Sequence, residues 1–152
     1  MTLRDRLIGA WELVTYTEQE LPDGPLAYPH GEDPLGLIMY TPDGYMSAQI
    51  ETRNRPPYDR PAAAGGTAEQ RATAAAGYLA YSGPYFVDEY TGNIRHHVAI
   101  SLLPNWIDSI QVRRSRLIGD QLVLSAEGRS PDSSGDVLST LHWTRAHPPT
   151  QR

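Results

Sequence analysis

Apolar and polar positions alternate with a period of two along most of the chain. Such alternation sends successive side chains to opposite faces and therefore predicts β-strands. Turn-forming stretches, such as residues 41–44 (TPDG) and 119–120 (GD), separate the alternating segments. The pattern predicts eight strands, over residues 11–19, 36–40, 45–50, 85–89, 94–103, 109–118, 121–126 and 137–145.

One segment in the middle of the chain departs from this alternation. Thr67 and Gln70 stand at the spacing of a capping box and precede an Ala-rich stretch, which predicts a helix over residues 68–81. Residues 51–66 have no periodicity and predict a long loop, a feature that is usually mobile or functional. Because the helix has few large apolar side chains, we expect it to cover a barrel mouth and, with the loop, to gate a cavity.

Strand parity decides which side chains share a face. In the first strand, alternation puts Trp11 and Leu13 on one face and Tyr16 on the other. In the first hairpin, pairing of Tyr40 with Tyr45 would put these two rings on the same face. We therefore expect Tyr40 and Tyr45 to point to the same side of the sheet.

Short strands joined as neighbouring hairpins favour a barrel or a sandwich. A closed up-and-down barrel removes exposed strand edges and leaves an interior large enough for one small ligand. The 152 residues suffice for one core and show neither an internal repeat nor a second domain. We expect a single domain over residues 1–152, an all-β antiparallel barrel of about eight strands with one inserted helix near its mouth.

Composition excludes several classes of function. The net charge of −5 argues against nucleic-acid or anionic-membrane partners. The chain has no cysteine, which excludes disulfides, thiol catalysis and thiolate metal sites, and no lysine, which excludes lysine Schiff bases. A lysine-free composition rich in Ala, Arg and Pro is typical of GC-rich bacterial genomes. The N-terminal residues do not read as a signal peptide, so we expect a cytoplasmic protein.

Several segments resemble one known family. They are residues 9–11 (GAW), 40–48 (YTPDGYMSA), 78–83 (YLAYSG) and 103–106 (LPNW). Together they are similar to the bacterial and fungal lipocalin-like domain family, whose fold is a calycin-type β-barrel. The resemblance implies that Trp11 packs at the closed end of the barrel, with Arg145 of the last strand fitting the place of its arginine partner.

The resemblance also implies a class of function. Family members often occur near secondary-metabolite genes, and other lipocalin-like barrels act as cyclases or isomerases. Our first hypothesis is a cofactor-independent isomerase or cyclase that binds a small, mostly apolar or partly polar metabolite. The alternatives are a non-catalytic binding or carrier protein and a structural partner of a biosynthetic enzyme. We expect no cofactor and no metal, and a monomer or a homodimer.

His96 is the first candidate catalytic residue. It shares the apolar face of its strand, which we expect to point inward: Ile94, His96, Val98, Ile100 and Leu102. One interpretation is a hydrogen-bonded core histidine. A second is an acid/base facing a cavity, since imidazole titrates near neutral pH. A third is a metal site completed by His142 or His30 and a carboxylate, which the absence of a close His spacing disfavours.

Arginine and tyrosine supply the other candidates. One face of residues 109–118 must point inward, and we expect it to be the face with Gln111 and Arg113, although a solvated outer face is the alternative. An inward arginine can bind a carboxylate or an enolate-like oxygen. The excess of Tyr over Phe favours hydroxyls around a cavity or half-exposed rings at its rim. The expected ligand-binding aromatics are Tyr40, Tyr45, Tyr81, Tyr85 and Trp106.

Overall fold

The computed structural model describes residues 1–129 and 135–151. Its helices are α1 (Leu3–Leu7), α2 (Ala68–Ala76) and a 3₁₀ turn (Pro104–Trp106). Its strands are β1 (Gly9–Glu20), β2 (Leu26–Ala27), β3 (Leu35–Tyr40), β4 (Tyr45–Glu51), β5 (Tyr78–Val87), β6 (Asn93–His97), β7 (Ile100–Ser101), β8 (Ile110–Ile118), β9 (Gln121–Arg129) and β10 (Asp136–Arg145).

The strands form one closed antiparallel barrel. The hydrogen-bonded order is β10-β9-β8-β6-β5-β4-β3-β1, and pairing of β10 with β1 completes the circle. The two-residue strands β2 and β7 add short pairings at β1 and β5. The predicted all-β barrel of eight main strands is confirmed. No helix in the described part of the chain is long and apolar enough to cross a membrane.

The barrel is closed at one end by Trp11 and Arg145. Trp11 is fully buried, and the guanidinium of Arg145 lies 4.1 Å from the centroid of its ring. Arg145 also donates to the backbone carbonyls of Ile8 at 3.1 Å and Arg6 at 2.6 Å. The expected contact between Trp11 and Arg145 is therefore confirmed, as a cation–π pair that is fixed further by backbone hydrogen bonds.

Helix α1 lies over the same end. Thr2 caps it, as its side chain accepts from the backbone N–H of Asp5. The carboxylate of Glu89 accepts two more N–H groups of its first turn, those of Leu3 and Arg4, at 2.8 and 3.0 Å. Leu7 is fully buried and fills the space beneath the helix. A short helix with satisfied ends thus covers the bottom of the barrel.

Helix α2 connects β4 to β5 at the opposite end. Its predicted capping box is confirmed, with Thr67 and Gln70 bonding each other's backbone N–H. The predicted end at Tyr81 is wrong: the helix ends at Ala76, and β5 begins at Tyr78. Tyr78 and the residues after it form hydrogen-bonded pairs with β4, and this sheet pairing competes successfully with the helical propensity of the Ala-rich segment. None of the helix residues is buried.

A β-bulge in β1 overturns the predicted faces of that strand. Leu13 pairs with Trp143 and Thr15 with His142, so Val14 is an extra residue opposite β10. The bulge shifts the inward parity by one residue. Tyr16 therefore packs against the core, on the same side as Trp11, where strict alternation predicts the opposite side.

The first hairpin also differs from its predicted register. Tyr40 pairs with Met46, not with Tyr45. Tyr40 is buried, whereas the Tyr45 side chain is 56% exposed on the outer face. The expectation that these two rings share a face is wrong, because the turn is one residue longer than the assumed pairing allows.

The predicted strand over residues 94–103 is interrupted. Ile94, His96 and Val98 are buried as expected, but Ile100 is 67% exposed. At the break the chain crosses Gly83 so closely that a Cβ there would lie 1.8 Å from the carbonyl oxygen of His97. Leu102, beyond the break, is also exposed, so the inward face ends at Val98.

Removal of the aromatic ring at the closed end tests the role of Trp11. We expect Trp11→Ala to lower the free energy of unfolding by about 3–5 kcal/mol, the usual cost of truncating a buried large aromatic. Urea unfolding followed by circular dichroism measures this change. The matched control is Phe86→Ala, because Phe86 is half exposed and should cost clearly less. Equal costs for the two variants would contradict the role of Trp11.

Hydrogen exchange tests the mobility of helix α2. Because none of its residues is buried, we expect its amides to exchange faster than those of β5, whose two sides pair with β4 and β6. Exchange in α2 as slow as in β5 would count against the predicted gating role of residues 51–76.

Candidate functional site

The barrel encloses a cavity of about 230 Å³. Aromatic side chains form much of its wall: Tyr16, Tyr81, Trp106 and Trp143. Aliphatic side chains such as Ile38 and Leu124 fill the space between them, and the polar side chains are few: Glu18, Gln111, Arg113 and Ser139. Most of these polar groups lie near the strand ends opposite to α1, so the cavity is apolar in depth and polar toward that end.

Arg113 is the principal charged group of the cavity. On β8, Gln111 and Arg113 are half-buried and line the cavity, while Arg114 is exposed, so the predicted inward face is confirmed. Arg114 forms an ion pair with Glu127 at 2.8 Å. Within the described residues Arg113 has no carboxylate at ion-pair distance; it donates to the carbonyl of Val112 at 3.2 Å. The inward arginine therefore retains donors for a ligand.

A buried trio of rings lies beside the cavity. His96 is fully buried, with Nε2 2.8 Å from the hydroxyl of Tyr40 and Nδ1 2.8 Å from the hydroxyl of Tyr81. A neutral imidazole has one donor and one acceptor nitrogen, so one tyrosine must donate to it and the other must accept from it. Both ring nitrogens are thus satisfied within the protein.

Burial sets the protonation states of this trio. Desolvation, with the nearby positive charge of Arg113, lowers the pKa of His96 to about 3, so the imidazole is neutral at physiological pH. Desolvation raises the pKa of Tyr40 well above its ordinary value and also raises that of Tyr81, where Arg113 partly opposes the shift. The trio is therefore an uncharged hydrogen-bond network.

His96 points inward as predicted, but it is not part of the cavity wall. Tyr81 lines the cavity, and His96 lies behind it. This geometry is that of a hydrogen-bonded core histidine. A catalytic role of His96 stays a prediction, and it would have to act through Tyr81.

The other predicted aromatics separate into three groups. Trp106 and Tyr81 line the cavity and meet edge to face, with ring centroids 5.3 Å apart. Tyr40 and Tyr85 are buried closer to α1; Tyr85 donates its hydroxyl to the carbonyl of Thr41 at 2.8 Å. Tyr45 lies on the outer surface, away from the cavity. The structure thus brings Tyr81, Trp106, Gln111 and Arg113 together at the cavity, whereas Tyr40, Tyr45 and Tyr85 are not among its lining residues.

The sequence pattern did not identify Tyr16 and Glu18 as residues of the site. The Tyr16 hydroxyl donates to the Glu18 carboxylate at 3.0 Å, and its ring stacks on His30 at 5.7 Å. Burial, followed by the neighbouring charge of Glu18, raises the pKa of the Tyr16 phenol. No local signal marks the bulge that turns these residues inward.

Trp143 was also missed. It lies two residues before Arg145 on β10, and this even spacing from the residue that closes the barrel was the signal that could have identified it.

The histidines suggested as metal ligands are not grouped around His96. His142 is exposed on the outer face of β10, and the Nδ1 of His30 lies 3.2 Å from the hydroxyl of Thr52. Among residues 1–129 and 135–151, no three His, Asp or Glu side chains are arranged to hold a metal ion.

A wider groove lies outside the barrel. It has a volume of about 720 Å³ and is lined by residues of β1, β3 and β4, including Glu12, Leu37 and Gln49. It is open to solvent and has one aromatic side chain, Tyr78. A ligand there would remain largely hydrated, so we place the candidate site in the interior cavity.

The buried imidazole predicts a specific dependence of stability on pH. The pKa of His96 is lower in the folded than in the unfolded state, so the unfolded state binds the proton first as the pH falls below about 6.5. Between pH 7 and pH 4.5 we expect wild type to lose about 2.5 kcal/mol more stability than His96→Gln. Urea unfolding across this range measures the difference, and parallel pH profiles would contradict it.

Comparison with known proteins agrees with this geometry. A family model described as a lipocalin-like domain matches residues 8–146. A similar curated protein is the 4'-hydroxy-3'-methoxypropiophenone carrier protein of Aspergillus oryzae, which is 34% identical over 106 residues. The match covers 66% of this chain and 96% of the fungal protein. The chain belongs to the lipocalin-like domain family.

Proposed function

We propose that the protein is a carrier that binds a small aromatic metabolite with polar substituents in its interior cavity. The observation that supports this most directly is an aromatic-walled cavity with an inward Arg113 that lacks a carboxylate partner in the described residues. The aromatic wall favours a planar apolar body, and the arginine favours an oxygen-bearing substituent.

The dimensions of the cavity limit the ligand. Its 230 Å³ lie below the range of about 300–1,000 Å³ that is usual for drug-sized ligands. A single aromatic ring with short substituents is the class of molecule that suits this space. Gln111 and Ser139 add hydrogen-bonding groups near Arg113, so the ligand's more polar end is expected to lie there.

The printed name of the fungal relative supports the same class. That protein is named as a carrier of a propiophenone with one hydroxyl and one methoxy substituent, a single-ring aryl ketone. The chemistry of such a molecule matches the apolar and polar parts of the cavity described above. We therefore extend aryl-ketone binding to this chain as a proposal.

Two features favour a carrier over an enzyme. His96, the predicted acid/base, has both nitrogens engaged by tyrosines and lies outside the cavity wall. The carboxylate of Glu18 already accepts a hydrogen bond from Tyr16. Isomerase or cyclase activity stays a prediction, as does the choice between monomer and homodimer.

Binding of 4'-hydroxy-3'-methoxypropiophenone tests the proposal. We expect saturable binding of one molecule per chain. Calorimetry, or quenching of the fluorescence of Trp106 and Trp143, measures this binding. Arg113→Met should raise Kd about tenfold or more, because a hydrogen bond from a charged donor is lost. The matched control is Arg114→Met, which removes an outward arginine of the same strand and should leave Kd unchanged.

A cavity-filling variant adds a second control. Ala126→Phe places a ring in the cavity wall and should abolish binding. If the probe binds equally well to Ala126→Phe and to wild type, the interior site is wrong. Chromatography of the probe after prolonged incubation separates the two functions: unchanged probe is expected of a carrier, and protein-dependent conversion would identify an enzyme.

A further inference from the structure

Glu18 is a negatively charged side chain of the interior cavity, and an aryl-ketone ligand does not by itself explain it. It is half-buried on β1. It lines the cavity together with Tyr16, two residues before it, and Ser139, its pairing partner on β10. The bulge at Val14 gives the two β1 residues their inward parity. A carboxylate in a largely apolar wall is costly unless hydrogen-bond donors meet it.

The carboxylate of Glu18 has acceptor capacity to spare. The hydroxyl of Tyr16 donates to its Oε1 at 3.0 Å, and within the described residues no other side chain forms a hydrogen bond or an ion pair with this carboxylate. An ionised carboxylate has about four acceptor positions. One protein donor therefore leaves most of these positions open to a donor of the ligand.

Arg113 determines which kind of donor fits. Two strands, β10 and β9, separate β1 from β8, so Glu18 and Arg113 face the cavity from different walls. Burial and the charge of Glu18 raise the pKa of Tyr16, and the positive charge of Arg113 partly opposes this rise, so both charges act on the same part of the cavity. Glu127 forms an ion pair with Arg114 instead. The cavity charges thus balance, and a neutral ligand preserves that balance where an ammonium group would not.

We propose that Glu18 is a specificity-determining residue, whose carboxylate accepts a hydrogen bond from a neutral hydroxyl group of the ligand. This inference rests on the proposed function and narrows it: the ligand carries a hydroxyl donor for Glu18 and a separate oxygen acceptor for Arg113. Hydrogen bonds to a charged acceptor are roughly twice as strong as neutral ones. An ether or a halogen in place of the hydroxyl leaves the carboxylate without this donor, so such ligands bind more weakly.

Two probes of similar size test the role of Glu18. 4'-Hydroxypropiophenone and 4'-fluoropropiophenone differ at one ring position, where the first has a hydrogen-bond donor and the second has none. Calorimetry measures Kd for each. In wild type we expect the hydroxy probe to bind at least about tenfold more tightly, the factor that corresponds to one hydrogen bond with a charged partner. Equal Kd values for the two probes would overturn the role of Glu18.

Three variants of β1 identify the residue that is responsible. Glu18→Leu removes the acceptor and should abolish the preference for the hydroxy probe. Tyr16→Phe removes the neighbouring hydroxyl but keeps the carboxylate, so the preference should persist. Glu12→Leu is the matched control, because Glu12 is exposed on the outside of the same strand and both Kd values should stay unchanged. Loss of the preference in Tyr16→Phe together with its persistence in Glu18→Leu would contradict the proposal.

Absorbance supplies a measurement that a purely structural role of Glu18 would not affect. The phenolate of a hydroxyaryl ketone absorbs at longer wavelength than the phenol, so a pH titration of the bound hydroxy probe reports its pKa. A carboxylate beside the hydroxyl disfavours the phenolate. We therefore expect the probe's pKa to rise on binding to wild type, and to be lower in Glu18→Gln, which keeps the shape and removes the charge. A pKa that falls on binding to wild type, or one that is the same in both proteins, would overturn the proposal.

The outcomes separate this inference from the proposed function. Saturable binding of both probes with equal affinity overturns the role of Glu18 and leaves the carrier function standing. Absence of binding by both probes and by 4'-hydroxy-3'-methoxypropiophenone overturns both. The comparison of the two probes and the change of the probe's pKa on binding use wild type, so they decide the question even if Glu18→Leu fails to fold.

Discussion

The pairing of the first strand with the last is the constraint on which the rest of the structure depends. It closes the sheet, removes both edges and brings Trp11 next to Arg145. The same pairing contains the bulge at Val14, which lets the upper half of β1 turn Tyr16 and Glu18 inward. Closure of the barrel and construction of the cavity wall are therefore consequences of one strand pair.

The polar groups of the barrel interior differ in how they are satisfied. Tyr40, His96 and Tyr81 bond one another, and this network is neutral and complete. Arg113, in contrast, lines the cavity and has no carboxylate partner among the described residues. A satisfied network gives rigidity, whereas an arginine without a counter-charge favours a ligand that carries an oxygen acceptor.

This division explains how a lipocalin-like barrel can bind a small molecule without a reactive group at the ligand. Desolvation keeps the imidazole of His96 uncharged. The residue itself lies behind Tyr81, which lines the cavity. The cavity wall is largely aromatic and aliphatic, with the polar side chains of Glu18, Gln111, Arg113 and Ser139. Such a wall supports the proposal of a carrier for a polar aromatic molecule.

Local pattern was sufficient to predict the barrel and the inward face of Gln111 and Arg113, because alternation and turn residues are read from neighbours in sequence. The contact that closes the barrel was predicted from the family resemblance. It failed where distant strands impose the geometry. The bulge at Val14, the register that exposes Tyr45 and the break near Gly83 arise from pairing with strands remote in sequence. Parity is cumulative along a strand, so a single extra residue reverses every side chain beyond it, and only the assembled barrel shows which residues face the cavity.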